Sequence, residues 1–348
     1  MRLVDHLQRQ TGKGEGSVSL TTERPSPIQL VSVGSSGKAL PQLGFGCSYL
    51  LGPGLDRAKS LRLLETAYDA GIRYFDTARL YGQGKGEALL GEFLRHHSDV
   101  IVGTKFGIEP PTYLQRAATA IGRRSGFFTG AAKALRGSGK VRFNAANARA
   151  SLERSLRALG REEVEIFLLH EPDRMDLVND DLLQFLEEAR SAGKIGNYGI
   201  GGEYSLVTEL YATRRHYTRV LQFEHSIFGP HLQVPEAFRI HYRTFAKPAA
   251  AFAERMEGDK GLCWWWSEMV GMDLREPSTQ ANLLLRAALD ESPGAMTLFS
   301  ASSEEHIYEC AGSATNQALS EPAGRLRKLI IEDDLGIGNQ LYGSHVKG

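Results

Sequence analysis

Four side chains form a set able to move a proton beside a carbonyl: Asp76, Tyr81, Lys105 and His170. A free tyrosine, with a pKa near 10, is a poor acid at neutral pH. An ammonium beside it, here Lys105, stabilises the phenolate and eases proton release. Asp76 pairs with that lysine, holds it in place and offsets the cost of burying it. His170 donates a hydrogen bond to a substrate oxygen and orients it. Tyr81 then protonates the oxygen of a carbonyl as hydride reaches its carbon; in reverse it takes the proton from an alcohol. None of these side chains carries a hydride, so a cofactor must supply it. Each residue alone has an ordinary reading: the aspartate as a helix cap, the tyrosine and lysine as half-buried surface groups, the histidine as structural. The ordered set carries the argument.

Three strand ends must bring these groups together. Ile72 to Phe75 reads as a strand ending in Asp76, Val100 to Thr104 as one running into Lys105, and Glu163 to Leu169 as one ending at His170. Helical spacing separates them: Leu61 to Tyr68 closed by Gly71, Glu87 to Leu94, and Ala146 to Leu159. The alternation continues with strands at Ile195–Ile200, Val220–Phe223, Ile240–Phe245 and Ala295–Phe299, and helices at Leu182–Ala192, Tyr204–Arg214, Thr279–Leu289 and Glu304–Ala311. A buried strand, Leu43 to Cys47, comes first, after a hairpin of Ile28–Val33 and Ala39–Gln42 around Gly34-Ser35-Ser36-Gly37. About eight strand–helix units predict an α/β fold, a closed (β/α)8 TIM barrel with an N-terminal β-hairpin and a long loop after strand 3, near Gly107 to Phe143. An open doubly wound sheet calls for a G-x-G-x-x-G turn; Gly44-Phe45-Gly46 begins one, but Tyr49 holds the third glycine's place. In a barrel, reactive groups gather at the carboxyl ends of strands, where all four residues stand.

Composition narrows the class. The 348 residues suit one barrel with insertions; residues 1–27 read as a polar, partly disordered segment and 28–348 as a single domain. At 42% hydrophobic and 24% charged, the chain can bury a sizeable core. Lys+Arg 41 balances Asp+Glu 41, which gives no reason to expect nucleic acid or a membrane surface as partner. Cys47, Cys263 and Cys310 show no metal-ligand spacing and read as reduced thiols of a cytoplasmic protein. No bound metal is expected. Oligomeric state is not encoded in any of these patterns.

The sequence resembles the aldo-keto reductase family. The resemblance is carried by GIRYFDTARLYGQGKGEALLG (Gly71–Gly91), IVGTKFG (Ile101–Gly107), SLERSLRALG (Ser151–Gly160), EIFLLHEPD (Glu165–Asp173) and IGNYGIGG (Ile195–Gly202). It implies a (β/α)8 barrel whose N-terminal hairpin closes the bottom, and reversible NADP(H)-linked reduction of aldehydes, ketones or sugar carbonyls, with Asp76, Tyr81, Lys105 and His170 as the tetrad. It further implies coenzyme contacts at Gly46, Asp76 and Gln222, with an aromatic stacking on the nicotinamide at Phe245 or Tyr242. Where the family has Ser-Asn after the fifth strand, this chain has Gly201-Gly202, which removes two side-chain contacts to the carboxamide. The segment after the last strand implies adenosine-phosphate contacts from Ser300, Ser302, His306, Glu309 and Cys310. Lys or Arg is common there in members that prefer NADP(H); none is present here, so NAD(H) stays open as the coenzyme.

Other features point to substrate. Tyr49, Phe106, Phe127 and Trp264 are candidate contacts, the last from a tryptophan run, Trp264 to Trp266, placed in an irregular stretch. Core packing explains the tryptophans equally well. Three functions compete: a carbonyl reductase, with sugar lactol oxidation as a variant; a non-enzymatic barrel that binds nucleotide; and a lyase with Lys105 as Schiff-base nucleophile, disfavoured because Asp76 keeps the lysine charged.

Overall fold

The chain is described by a computed structural model covering residues 28–32, 39–110, 139–178, 180–229, 232, 234, 236–245 and 247–332. Eight parallel strands close a barrel: β3 (Leu43–Gly46), β4 (Tyr74–Asp76), β5 (Ile101–Phe106), β6 (Val164–His170), β7 (Ile195–Gly202), β8 (Val220–Glu224), β9 (Phe238–Tyr242) and β10 (Ala295–Phe299), with β10 pairing back onto β3. Ahead of them β1 (Leu30–Ser32) and β2 (Ala39–Pro41) pair antiparallel. Val31 and Leu40 of this hairpin pack with Tyr74, Val220 and Phe238 inside the barrel, so the hairpin plugs its amino-terminal end.

Ten helices are described: α1 (Arg57–Asp69), α2 (Gly86–Leu94), α3 (Ala145–Leu159), α4 (Asp180–Ser191), α5 (Tyr204–Thr213), α6 (Lys247–Gly258), α7 (Lys260–Val270), α8 (Pro277–Glu291), α9 (Glu304–Thr315) and α10 (Ser320–Glu332). Local chemistry sets their ends. Asp56 caps α1 by accepting from the Lys59 amide at 2.8 Å. Asn144 caps α3 through the Asn147 amide at 2.9 Å, and Gly160 ends it in the left-handed conformation. Leu152, Leu156 and Leu159 of α3 are buried on the barrel side, as their spacing requires.

The alternation along each strand separates two cores. Tyr74, Ile166, Leu168, Val220, Ile240 and Met296 fill the barrel. Phe75, Phe106, Phe167, Leu169 and Phe223 face outward under the helices. A third cluster, including Phe252, Trp266, Leu283 and Leu326, joins α6, α7, α8 and α10.

Several expectations are corrected. The tryptophan run lies within α7, not in an irregular stretch, capped by Asp259 through the Leu262 amide at 3.0 Å. Trp266 is fully buried, whereas Trp264 is 62% exposed. The strand placed at Ile240–Phe245 runs over Phe238–Tyr242, because Arg243 has φ 58° and ends the extended chain. Helices α6 and α10 were not read from the sequence as elements. The tips of the hairpin and of the loop after β5, with the two chain ends, lie outside the described residues. The stem of that loop is described: Glu109 N donates to Gly139 O at 2.8 Å and Val141 N to Gly107 O at 2.9 Å.

Candidate active site

The carboxyl ends of β4, β5 and β6 deliver Asp76, Lys105 and His170 to one mouth of the barrel. Lys105 points inward, since its neighbours Thr104 and Phe106 take the outward positions. Its ammonium hydrogen-bonds the Asp76 carboxylate, donates to Thr77 O at 2.9 Å and reaches the Tyr81 hydroxyl at 3.4 Å. The other Asp76 oxygen accepts from Gln222 Nε2 at 2.8 Å. The carboxylate is thus held at both oxygens, and the ammonium is aimed at Tyr81. Tyr81 comes from the turn after β4, folded by Gly82 and Gln83 at φ 57°. The turn packs on the start of α2: a Cβ on Gly86 would stand 3.0 Å from Tyr81 O. His170 faces Tyr81 edge-on, ring centroids 6.5 Å apart.

Electrostatics sort the roles these groups can play. Burial and the Lys105 charge depress His170 to about 3, so the ring is neutral at physiological pH. Among the described residues its buried Nδ1 has no hydrogen-bond partner. A neutral ring can carry its proton on Nε2 and donate from that atom. Lys105 is pulled down by burial, but Asp76 and Tyr81 outweigh this and its pKa rises, so it stays an ammonium. Burial raises Tyr81 above the ordinary tyrosine value, opposed by Lys105, so the hydroxyl stays protonated at neutral pH.

The remaining expected contacts divide. Gln222 Oε1 lies beside Gly201, 3.4 Å from where a Cβ would be, with Leu168 Cδ1 at 3.6 Å, so the glycine keeps the inward side of β7 short at an amide oxygen. Tyr242 packs with the interior cluster at the end of β9, its hydroxyl donating to Gly202 O at 3.1 Å. Phe245 lies beyond the strand among the outer clusters, so Tyr242 is the aromatic at the mouth. The Gly201 carbonyl accepts from the Glu171 amide at 2.7 Å. Ser300 Oγ donates to Gly46 O at 2.8 Å, tying β10 to β3. Ser303 caps α9 through the His306 amide at 3.4 Å, and Glu304 and Glu305 occupy its first turn. His306 lies 3.4 Å from Glu309 and 3.8 Å from the buried Cys310 sulfur. Ser302 stands between Ser300 and the cap.

Of the substrate candidates, Tyr49 lies on the 3-10 turn after β3 and is 47% exposed. Phe106 is fully buried and packs outward on Phe143, so it is a core residue and not a contact. Trp264 lies on the exposed face of α7, which packs on the outer helices α6 and α10. Phe127 is outside the described residues. The sequence reading missed Glu87, only 2% exposed, which binds Thr104 and Arg79. Its signal was a carboxylate at one helical face with Leu90 and Leu94, where a buried charge needs a partner.

A sequence model described as the aldo/keto reductase family matches residues 42–240. The chain belongs to the aldo/keto reductase family. D-threo-aldose 1-dehydrogenase of a Pseudomonas species is 32% identical over 177 residues, 49% of this chain and 53% of that protein. Pyridoxal 4-dehydrogenase of Microbacterium luteolum is 27% identical over 194 residues, 51% of this chain and 57% of that protein. The chain therefore spans about half the length of these relatives. An aldo-keto reductase from Klebsiella pneumoniae, solved in complex with NADPH, shares the fold at TM-score 0.59 and 18% identity, covering 88% of this chain and 96% of that one.

Proposed function

We propose that this aldo/keto reductase family member is a nicotinamide-dependent oxidoreductase acting on an aldehyde, ketone or sugar carbonyl, with Tyr81 as general acid in reduction and general base in oxidation. The observation that carries the reading is the Lys105 ammonium, held by Asp76 and reaching the Tyr81 hydroxyl at 3.4 Å, with a neutral His170 across the mouth.

The residues at the mouth fit a nicotinamide coenzyme. A side chain at Gly201 would stand over Gln222 Oε1, 3.4 Å from the Cβ, and that oxygen would be the acceptor for a carboxamide. The Tyr242 ring, whose hydroxyl is held on Gly202 O, would supply an aromatic face for the nicotinamide. A bound nicotinamide supplies the hydride. His170 Nε2 donates to the substrate oxygen and orients the carbonyl. Tyr81 gives that oxygen its proton, and Lys105 stabilises the phenolate left behind. Asp76 keeps Lys105 charged throughout, which also disfavours a Schiff-base role. The relative named for an aldose favours oxidation of a sugar lactol as the second reading, run through the same groups in reverse.

The family resemblance implies NADP(H), and the Klebsiella relative is in complex with NADPH. A 2′-phosphate held near the start of α9 would meet Glu304 and Glu305, with Arg62 of α1 3.7 Å from Glu304 as the neighbouring cation, and residues 300–310 contain no Lys or Arg. A helix N-terminus favours anions, but two carboxylates oppose that field. Titration of NADPH and NADH into the protein, followed by nicotinamide fluorescence, tests the assignment; failure of both to bind overturns it. Glu304→Lys with Glu305→Lys is expected to raise NADPH affinity relative to NADH about tenfold, roughly 1.4 kcal/mol. An unchanged ratio places the adenosine phosphates elsewhere.

A further inference from the structure

A buried network lies directly behind the tetrad. Glu87, the second residue of α2, uses both carboxylate oxygens. Oε1 accepts from Thr104 Oγ1 at 2.7 Å and Oε2 from Arg79 Nη1 at 2.7 Å. Thr104 is fully buried and immediately precedes Lys105 on β5. Arg79 lies two residues before Tyr81, and its side chain is 14% exposed. One carboxylate therefore joins the strand that carries the ammonium to the turn that carries the phenol. Arg79 continues outward to Glu109 at 3.5 Å, at the stem of the loop after β5, and Arg154 holds Glu109 from α3 at 2.8 Å.

We infer that Glu87 is a positioning residue for Tyr81: by clamping Arg79 to Thr104 it fixes the separation between the Tyr81 hydroxyl and the Lys105 ammonium. The turn from Asp76 to Tyr81 is too short to hold itself; its internal bond is Tyr81 N to Ala78 O at 3.0 Å. Its middle is fixed to β5 through Thr77 N on Gly103 O at 2.8 Å. Only beyond this does Tyr81 emerge; Ala78 of that stretch is packed in the interior, and Arg79 is its side chain tied by a hydrogen bond to a buried carboxylate. Glu87 touches neither Tyr81 nor Lys105, so it acts through Arg79 and Thr104. A misplacement of about 1 Å at a reacting group can cost about a hundredfold in rate, so such a clamp has catalytic weight. The titratable groups facing Tyr81 are the charged Lys105 and Asp76 from the strands, the neutral Cys47 thiol of the turn after β3, His170, Tyr74 and Tyr242. None of them is removed by a change at Glu87.

This inference rests on the proposed function for its kinetic consequence, and its test has an arm independent of turnover. Glu87→Gln turns an N–H toward Arg79 or Thr104. Thr104→Val removes one hydroxyl at nearly constant volume, a milder change that guards against loss of folding. Thr104→Ser keeps the hydroxyl as the conservative control. In Glu87→Gln and Thr104→Val, the Tyr81 hydroxyl is expected to titrate at higher pH than in the parent, read from tyrosinate absorbance with Tyr81→Phe identifying the transition. Crystal structures should show the Tyr81–Lys105 separation lengthened beyond 3.4 Å. Carbonyl turnover should fall roughly tenfold to a hundredfold in kcat, with coenzyme affinity unchanged. Thr104→Ser should behave as the parent throughout. Folded variants with an unmoved Tyr81 titration and separation overturn the inference, whatever their turnover. Absence of turnover in the parent overturns the proposed function and leaves the titration and separation to decide on Glu87.

Discussion

Tyr81→Phe is expected to lower carbonyl reduction by about 100- to 10,000-fold, the usual worth of a positioned proton donor, while coenzyme binding stays at the parent level. The substitution removes one oxygen. The ring keeps its edge-on contact with His170 and its place 5.0 Å from the Lys105 ammonium, so the site retains its shape. The loss should therefore appear in kcat and in kcat/KM alike, the pattern of an interaction made only in the transition state. The pH dependence follows from the same groups. Burial raises Tyr81, against the pull of Lys105. Reduction needs the protonated phenol, so its rate should hold through neutral pH and fall only above the ordinary tyrosine value. Oxidation needs the phenolate and should rise over that alkaline range. His170, neutral above about pH 3, contributes no change near neutrality. Full turnover in Tyr81→Phe removes Tyr81 from the chemistry. Coenzyme binding without turnover in the parent moves the weight to a barrel that binds nucleotide without catalysing.

Much of this site was legible because barrel strands are short and end at the chemistry. Asp76, Lys105 and His170 each close an apolar run, and period-two alternation fixes which neighbour faces in. The same rule, applied strictly, would have excluded Phe106: it follows an inward Lys105 and so faces out. The end of β9 was harder to place. Tyr242 and Phe245 are both aromatic, and the chain leaves the strand at Arg243 through a left-handed conformation that apolar periodicity does not announce. The tryptophans misled because helix α7 belongs to an outer layer added to the barrel. Its single buried indole, Trp266, packs on Phe252, a contact invisible before α6 is known to exist. Glu87 was read only as the start of a helix. Its partners Thr104 and Arg79 lie 17 and 8 residues away, on a strand and a turn, and only the closed barrel brings them to one carboxylate.

Lys105→Met is expected to destabilise the fold by about 3–5 kcal/mol, the cost of leaving one member of a buried ion pair uncompensated. Lys105 and Asp76 are nearly inaccessible, at 2% and 5% side-chain exposure. Without the ammonium, Asp76 keeps Gln222 as its one side-chain hydrogen-bond partner among the described residues. Adding Asp76→Asn removes the stranded charge, and the double variant should recover most of the lost stability. Turnover should not return, because Tyr81 still lacks its cation. That split separates what the pair does for the fold from what it does for the chemistry, and a double-mutant cycle followed by urea unfolding measures it. The sign of the pH dependence is fixed as well. The folded pKa of Lys105 is raised above its unfolded value of about 10.4. The pair's contribution is therefore fully present below that value and is lost as pH rises through the folded one. The parent should lose stability over this alkaline range, and Lys105→Met should lack that loss. A Lys105→Met protein as stable as the parent, with no gain on adding Asp76→Asn, would mean that Asp76 is solvated and that the buried pair on which the Tyr81 mechanism depends does not exist.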